Sequence, residues 1–114
     1  MKVAEYNEII YYIGENAKDN WDILDNCIKI NEMYIWFHLN SFPSCYVIMC
    51  STIEQIKETD INNYLYYGAE LCKNNSKYRN YSNLKIIYTT LNKLKKTNNV
   101  GEVIISGKKN KILI

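Results

Sequence analysis

The 114-residue chain contains one proline (Pro43), one arginine (Arg79), one histidine (His38) and four glycines. No Pro-, Gly- or Ser-rich stretch marks a linker, no segment repeats and none is of low complexity. The length suits a single domain, residues 1–114. No apolar run approaches the roughly 18–20 residues that span a bilayer, so no membrane partner is expected. The opening residues, MKVAEYNE, carry carboxylates where a signal peptide needs an apolar core, and an intracellular, cytoplasmic location is expected. The Asn-x-Ser sequons at Asn74 and Asn80 then carry no weight. The four cysteines (Cys27, Cys45, Cys50, Cys72) form no Cys-x-x-Cys pair, and one histidine cannot complete a zinc set. No metal site and no cofactor are predicted, and the thiols are expected to be reduced and buried. Gly14 alone is no nucleotide-binding fingerprint, and Glu15 beside it would repel an anion.

What the chain does have is a steep division of charge. Its net charge is only +2, and 47% apolar with 23% charged residues describes an ordinary globular protein. Yet residues 1–70 hold four lysines against eleven carboxylates, whereas residues 71–114 hold nine lysines and Arg79 against Glu102 alone. Such a division within one domain points to a basic face and an anionic partner. Lysine supplied to any exposed surface by AT-rich coding sequence is the plainer explanation.

Patterning gives the elements. Val3–Tyr6 and Glu8–Gly14 read as a strand pair turning at Asn7, and the second, apolar on both faces, reads as an inner strand. Asn16 can cap a helix whose stripe is Ile23, Leu24, Cys27 and Ile28, with Trp21 off it. Tyr34–His38 and Cys45–Cys50 read as strands joined by a loop around Pro43, and Ser51-x-x-Glu54 has capping-box spacing. The clearest helix runs from about Asp60 to Asn74, with Ile61, Tyr64, Leu65, Gly68, Leu71 and Cys72 on one face. Leu84–Thr89, Gly101–Ser106 and Lys111–Ile114 complete the strands, with Lys93–Thr97 as a connection and Gly107–Asn110 as a hairpin turn. The expected fold is α+β: a mixed or antiparallel sheet of about six strands with two main helices.

The cations are interleaved with aromatics. Lys73, Lys77 and Arg79 stand beside Tyr78 and Tyr81, and Lys93, Lys95 and Lys96 follow a strand. That pattern suits phosphate contacts with base stacking. Complementing a helix dipole explains Lys73 but not Lys93, Lys95 and Lys96. His38 shares a strand face with Trp36 and lies near Ser41, Ser44 and Cys45, but no local Asp or Glu could orient it as a base.

Gly14-x-Asn16, Asn20-x-Asp22-Ile23 and Ile35-Trp36-Phe37-His38, with Ser44 and Tyr46-Val47 after, resemble the NFACT RNA-binding domain (NFACT-R). Ala69-x-Leu71-x-Lys73-x-Asn75-Ser76, Lys85-Ile86-Ile87-Tyr88-Thr89, Leu94-Lys95-Lys96-Thr97 and Gly101 extend the resemblance over nearly the whole chain. They look most like the short stand-alone eukaryotic members that continue into a coiled coil. The resemblance implies an intracellular, RNA-facing domain. In larger relatives it is one module of proteins that bind the large ribosomal subunit and peptidyl-tRNA during rescue of stalled ribosomes. Tyr34 replaces the family's acid two residues before the Trp, and Tyr46 replaces a second His, which weakens any catalytic role for His38. With no coiled coil and no ribosome-gripping domain before Ile114, peptide tailing is not expected.

The expected function is therefore binding of structured RNA, tRNA or rRNA, in translation or ribosome-associated quality control, with DNA as a second nucleic-acid partner. Lys73, Lys77, Arg79, Lys93, Lys95 and Lys96 are the expected phosphate contacts. Trp36, His38 and Tyr46 are stacking or hydrogen-bonding candidates, and Asn16 and Asn20 are loop caps or part of that surface. No catalytic residue is assigned. The alternatives are a protein-interaction domain docking an acidic partner, and a small RNA-acting enzyme using His38. The acidic half of one chain could also meet the basic half of another, giving a homodimer.

Overall fold

A computed structural model describes residues 1–114. In chain order the elements are β1 (Lys2–Tyr6), β2 (Ile9–Ile13), α1 (Ala17–Ile30), β3 (Ile35–Leu39), β4 (Val47–Met49), α2 (Ile61–Asn74), β5 (Lys85–Thr90), β6 (Leu94–Lys96), β7 (Val103–Ile105) and β8 (Asn110–Leu113). Six strands form one antiparallel sheet in the order β1-β2-β4-β3-β5-β8, and β6 and β7 form a separate two-stranded ribbon. The α+β class and the two helices are as the sequence predicts, and β2 is an inner strand.

Where the helices lie follows from the strand order. β2 connects through α1 to β3, and β4 connects through α2 to β5; each connection steps over one intervening strand to a parallel partner. Crossovers between parallel strands are almost always right-handed. Both step the same way along the sheet from strands of opposite direction, so the two helices fall on opposite faces.

The residues show the same division. Ile35, Phe37 and Leu39 of β3 join Val47, Met49 and Ile86 in a core with Leu65, Ala69 and Cys72 of α2. Trp36, Ile48 and Ile87 point the other way, into a second core with Ile23, Leu24 and Cys27 of α1, and Leu94, Val103 and Ile105 of the ribbon pack against it. Period-2 alternation thus serves two cores from one strand.

Local chemistry fixes the ends. The β1–β2 hairpin turns on Asn7 and Glu8, both in the left-handed region (φ 46° and 73°), as a tight two-residue hairpin loop demands. Asn16 is the N-cap of α1: its Oδ1 accepts the backbone N–H of Asp19 at 2.8 Å. In α2, Gly68 faces Phe37 so closely that an added Cβ would lie 2.4 Å from the ring. Cys27 and Cys72 are buried, and Cys45 and Cys50 are half-buried. The neighbouring Cys45 thiol, with burial, holds the Cys72 thiol well above its ordinary value.

Three expectations change. Lys93–Thr97 is not simply a connection: Leu94–Lys96 is strand β6, paired with β7. Gly107–Asn110 is not a hairpin turn, because β7 pairs with β6 while β8 crosses to β5 (Ile87 opposite Lys111). The capping interaction sits one residue later than Ser51-x-x-Glu54: the Gln55 side chain accepts the N–H of Thr52 at 3.2 Å, opening a 3₁₀ turn at Ile53–Gln55.

Phe37 is fully buried and cannot retreat, so Gly68→Ala is expected to lower stability by about 1–3 kcal/mol in urea unfolding, outweighing the roughly 1 kcal/mol gained in helix propensity. Glu8→Gly is expected to raise stability by about 1 kcal/mol in the same measurement, because it removes the left-handed penalty of a side-chain-bearing residue.

Candidate nucleic-acid interface

At one end of the sheet, four segments distant in sequence are fastened together. The N–H of Gly14, just past β2, donates to the carbonyl of Tyr46 at 2.9 Å. The Tyr46 N–H donates in turn to Oδ1 of Asn20 in α1 at 3.1 Å. Asn20 lies so tightly on Gly14 that a Cβ there would be 1.8 Å from that oxygen, so only glycine fits. The Tyr46 hydroxyl reaches on to the carbonyl of Gly101, in the turn of the ribbon, at 2.5 Å. Burial pushes this phenol up to about 12, so it stays a neutral donor. Gly101 has φ 86° and packs on Ala17.

These contacts frame a cleft of about 1040 Å³. Its walls are the Gly14–Ala17 turn, the end of β3 with its Asn40–Ser44 loop, the Asn75–Tyr78 segment after α2 and the Asn99–Val103 turn of the ribbon. Lys2, Lys77 and Lys109 line it, against Glu15 and Glu102. The N-terminus of α1 opens on the cleft but is already served. Asp19 in its first turn accepts the Glu15 N–H at 2.9 Å, and an anion there would meet like charge.

The cleft brings together Lys77, Asn16, Asn20, Trp36, His38 and Tyr46. It does not gather the other expected cations. Lys73 is in the last turn of α2, Arg79 is exposed, and Lys95 and Lys96 lie on β6. Lys93 lines a separate hollow of about 300 Å³ with Lys108. Lys96 is paired with Asp25 at 2.6 Å and sits 4.7 Å from the Trp21 ring centroid. Lys2 and Lys109 were not foreseen as site residues, since neither belongs to an aromatic-interleaved run.

The aromatic expectation needs correcting. Trp36 and Tyr46 are only 2% and 1% exposed, so neither offers a free stacking face. Their rings form the inner wall with His38, which stacks on Trp36 (5.3 Å, 9°) and meets Tyr46 edge-on (5.8 Å, 79°). Asn16 is a helix cap, as one of its two readings held, whereas Asn20 is a buried bracket. His38 Nδ1 lies 2.7 Å from the Leu39 carbonyl, which only accepts, so Nδ1 carries the proton; its partner is backbone and not a carboxylate. Exposed rings near the cleft are Phe42, which lines it, and Tyr81, joined to Phe42 through Tyr78.

An antiparallel sheet with helices on opposite faces, and a cleft at one end lined by three lysines and two glutamates, defines a small α+β domain. Residues 2–110 match the family described as NFACT protein RNA binding domain, and the chain belongs to that family. Among solved structures it is similar to the C-terminal of the fibronectin/fibrinogen-binding protein from Streptococcus suis. The identity is 21% and the TM-score 0.75, over 94% of this chain and 41% of that one. At that identity the likeness is one of fold, and this chain spans less than half the length of that neighbour. No match is found among curated proteins.

Burial holds the His38 imidazole below its ordinary value of 6.5, against the smaller upward pull of the Leu39 and Ser44 backbone. The folded state then binds fewer protons than the unfolded one between the depressed value and about 6.5, so stability rises with pH through that window. It is complete above the window and is lost as pH falls through the folded value. In His38→Gln, denaturant unfolding at a series of pH values should show this slope flattened, while the carboxylate-driven loss below about pH 4 persists.

Proposed function

We propose that this domain binds structured RNA, tRNA or rRNA, through the cations of its C-terminal half, inside the cell and in the setting of translation or ribosome-associated quality control. One observation carries the reading. Of the ten cations in residues 71–114, only Lys96 has a carboxylate within ion-pair distance; the other nine, Lys77 in the cleft and Lys95 on the ribbon among them, are unpaired. A surface of unneutralised lysines is what a polyphosphate chain fits, since each contact releases a condensed counterion. Family membership supports an RNA partner in general, and the Leu94-Lys95-Lys96-Thr97 block supports kinship with the short stand-alone members. DNA carries the same phosphate charge and is the natural competitor.

A second reading, a docking face for an acidic protein, draws on Val100 and Ile104, which expose apolar surface on the ribbon beside these cations. Fluorescence anisotropy of the full chain with tRNA, single-stranded RNA and duplex DNA, titrated with salt, separates the two. RNA binding at micromolar or tighter Kd, with a log–log salt slope equivalent to about three or more phosphates, is expected. Lys77→Ala with Lys95→Ala should weaken binding to every RNA alike and lower the slope by about two, and Lys96→Ala should do less because its ion pair must open first. No binding at low salt would move the search to protein partners.

A further inference from the structure

We propose that Phe42, Tyr78 and Tyr81 form a stacking platform for unpaired bases, so that the RNA selected at this cleft is a single-stranded or looped segment and not a duplex stem. The proposal rests on the RNA reading above and adds to it what kind of RNA is taken.

Two of the three rings are exposed, and the third, Tyr78, is half-buried against the α2-face core and anchors them. Phe42 is 41% and Tyr81 59% exposed, yet they are not scattered. Phe42 lies 4.5 Å from Tyr78, tilted 33°, and Tyr78 meets Tyr81 edge-on at 5.5 Å. Phe42 and Tyr78 stand in the wall of the cleft itself. The cluster is also held in place before any ligand arrives. Ser41 adopts φ 69°, a left-handed turn uncommon for a side-chain-bearing residue, which bends the loop at Phe42. The loop is tied at both ends, by Asn40 N–H to the Lys85 carbonyl (2.9 Å) and by Leu39 N–H to Ser44 Oγ (3.0 Å). On the other side the Tyr78 N–H donates to Ser76 Oγ (3.1 Å) and the Tyr81 N–H to the Tyr78 carbonyl (2.9 Å). A preordered platform spends little ordering entropy on binding.

Charge settles which partner suits it. Lys77 and Arg79 alternate with Tyr78 and Tyr81 along the chain, are exposed, and have no carboxylate within ion-pair distance. Alternating ring and cation matches the alternation of base and phosphate in a single strand. In a duplex the base faces are buried in the stack and cannot reach a ring, so only unpaired nucleotides use both groups.

The test uses the full chain, a short single-stranded RNA carrying 2-aminopurine, and the same sequence annealed as a duplex. The single strand should bind at least about fivefold tighter than the duplex, with the 2-aminopurine emission quenched as its ring stacks. Phe42→Ala with Tyr81→Ala should weaken single-strand binding by about 5- to 150-fold and relieve the quenching, leaving duplex affinity and the salt slope unchanged. Tyr81→Phe should keep both affinity and quenching. Tyr81→Ala alone, at an exposed position, gives the same reading if the double variant fails to fold. Equal affinity for both RNAs, or aromatic variants that shift neither, would overturn the platform while leaving RNA binding intact. Failure of the unaltered chain to bind either RNA would overturn both.

Discussion

The hydrogen bond from the Tyr46 backbone to Asn20 is the joint on which the cleft end of this domain depends. A buried N–H left without a partner costs about 1–3 kcal/mol, and here one side-chain oxygen meets that demand from another element. Its position requires that residue 14 have no side chain, since Asn20 fills the space where a Cβ would project. Once Tyr46 is fixed, its hydroxyl reaches the ribbon turn at Gly101, 55 residues away in the chain. The end of β2, the first turn of α1, the start of β4 and the tip of the ribbon are therefore positioned relative to one another by a few short contacts. The cleft is the space those contacts leave.

The two faces of the sheet divide the work. On the α2 face, a core of 13 residues closes tightly enough for a phenylalanine ring to rest on a glycine. On the α1 face, the core of eight buried residues is completed by a separate ribbon, and the aromatic wall of the cleft is continuous with it. Trp36 belongs to that core and also backs His38, so the wall is as firm as the interior it grows from. The rim is made differently, from exposed rings and unpaired cations on turns tied down by backbone hydrogen bonds.

Much of this was legible in the sequence. Both helices announce themselves by apolar stripes at helical spacing, Asn16 by the residue type a cap needs, and β2 by being apolar on both faces. The charge division and the Lys77 to Tyr81 run are local patterns and survive folding unchanged. Strand β6 was not legible because Leu94-Lys95-Lys96 presents one half-buried residue followed by two exposed lysines, which is how a connection reads. The burial of Trp36 and Tyr46 depends on what α1 and the ribbon cover, and no property of those two residues encodes it. Lys2, Lys109 and Phe42 reach the cleft only because strands distant in sequence become neighbours, and the left-handed Ser41 has no signature in residue type.

The main sheet is open, with β1 and β8 at its margins. Each margin offers unpaired backbone donors and acceptors to any other strand, the usual route by which sheets of separate molecules fuse. Lys2 and Glu5 stand on one margin and Lys111 on the other, the latter preceded by Lys108 and Lys109, and all are exposed. At the β8 margin a second identical margin would meet like charge, whereas β1 carries one charge of each sign. Lys111 and the two lysines that precede β8 thus guard an open backbone edge, a task of charge that is separate from any ligand and is set by where the strand falls in the sheet.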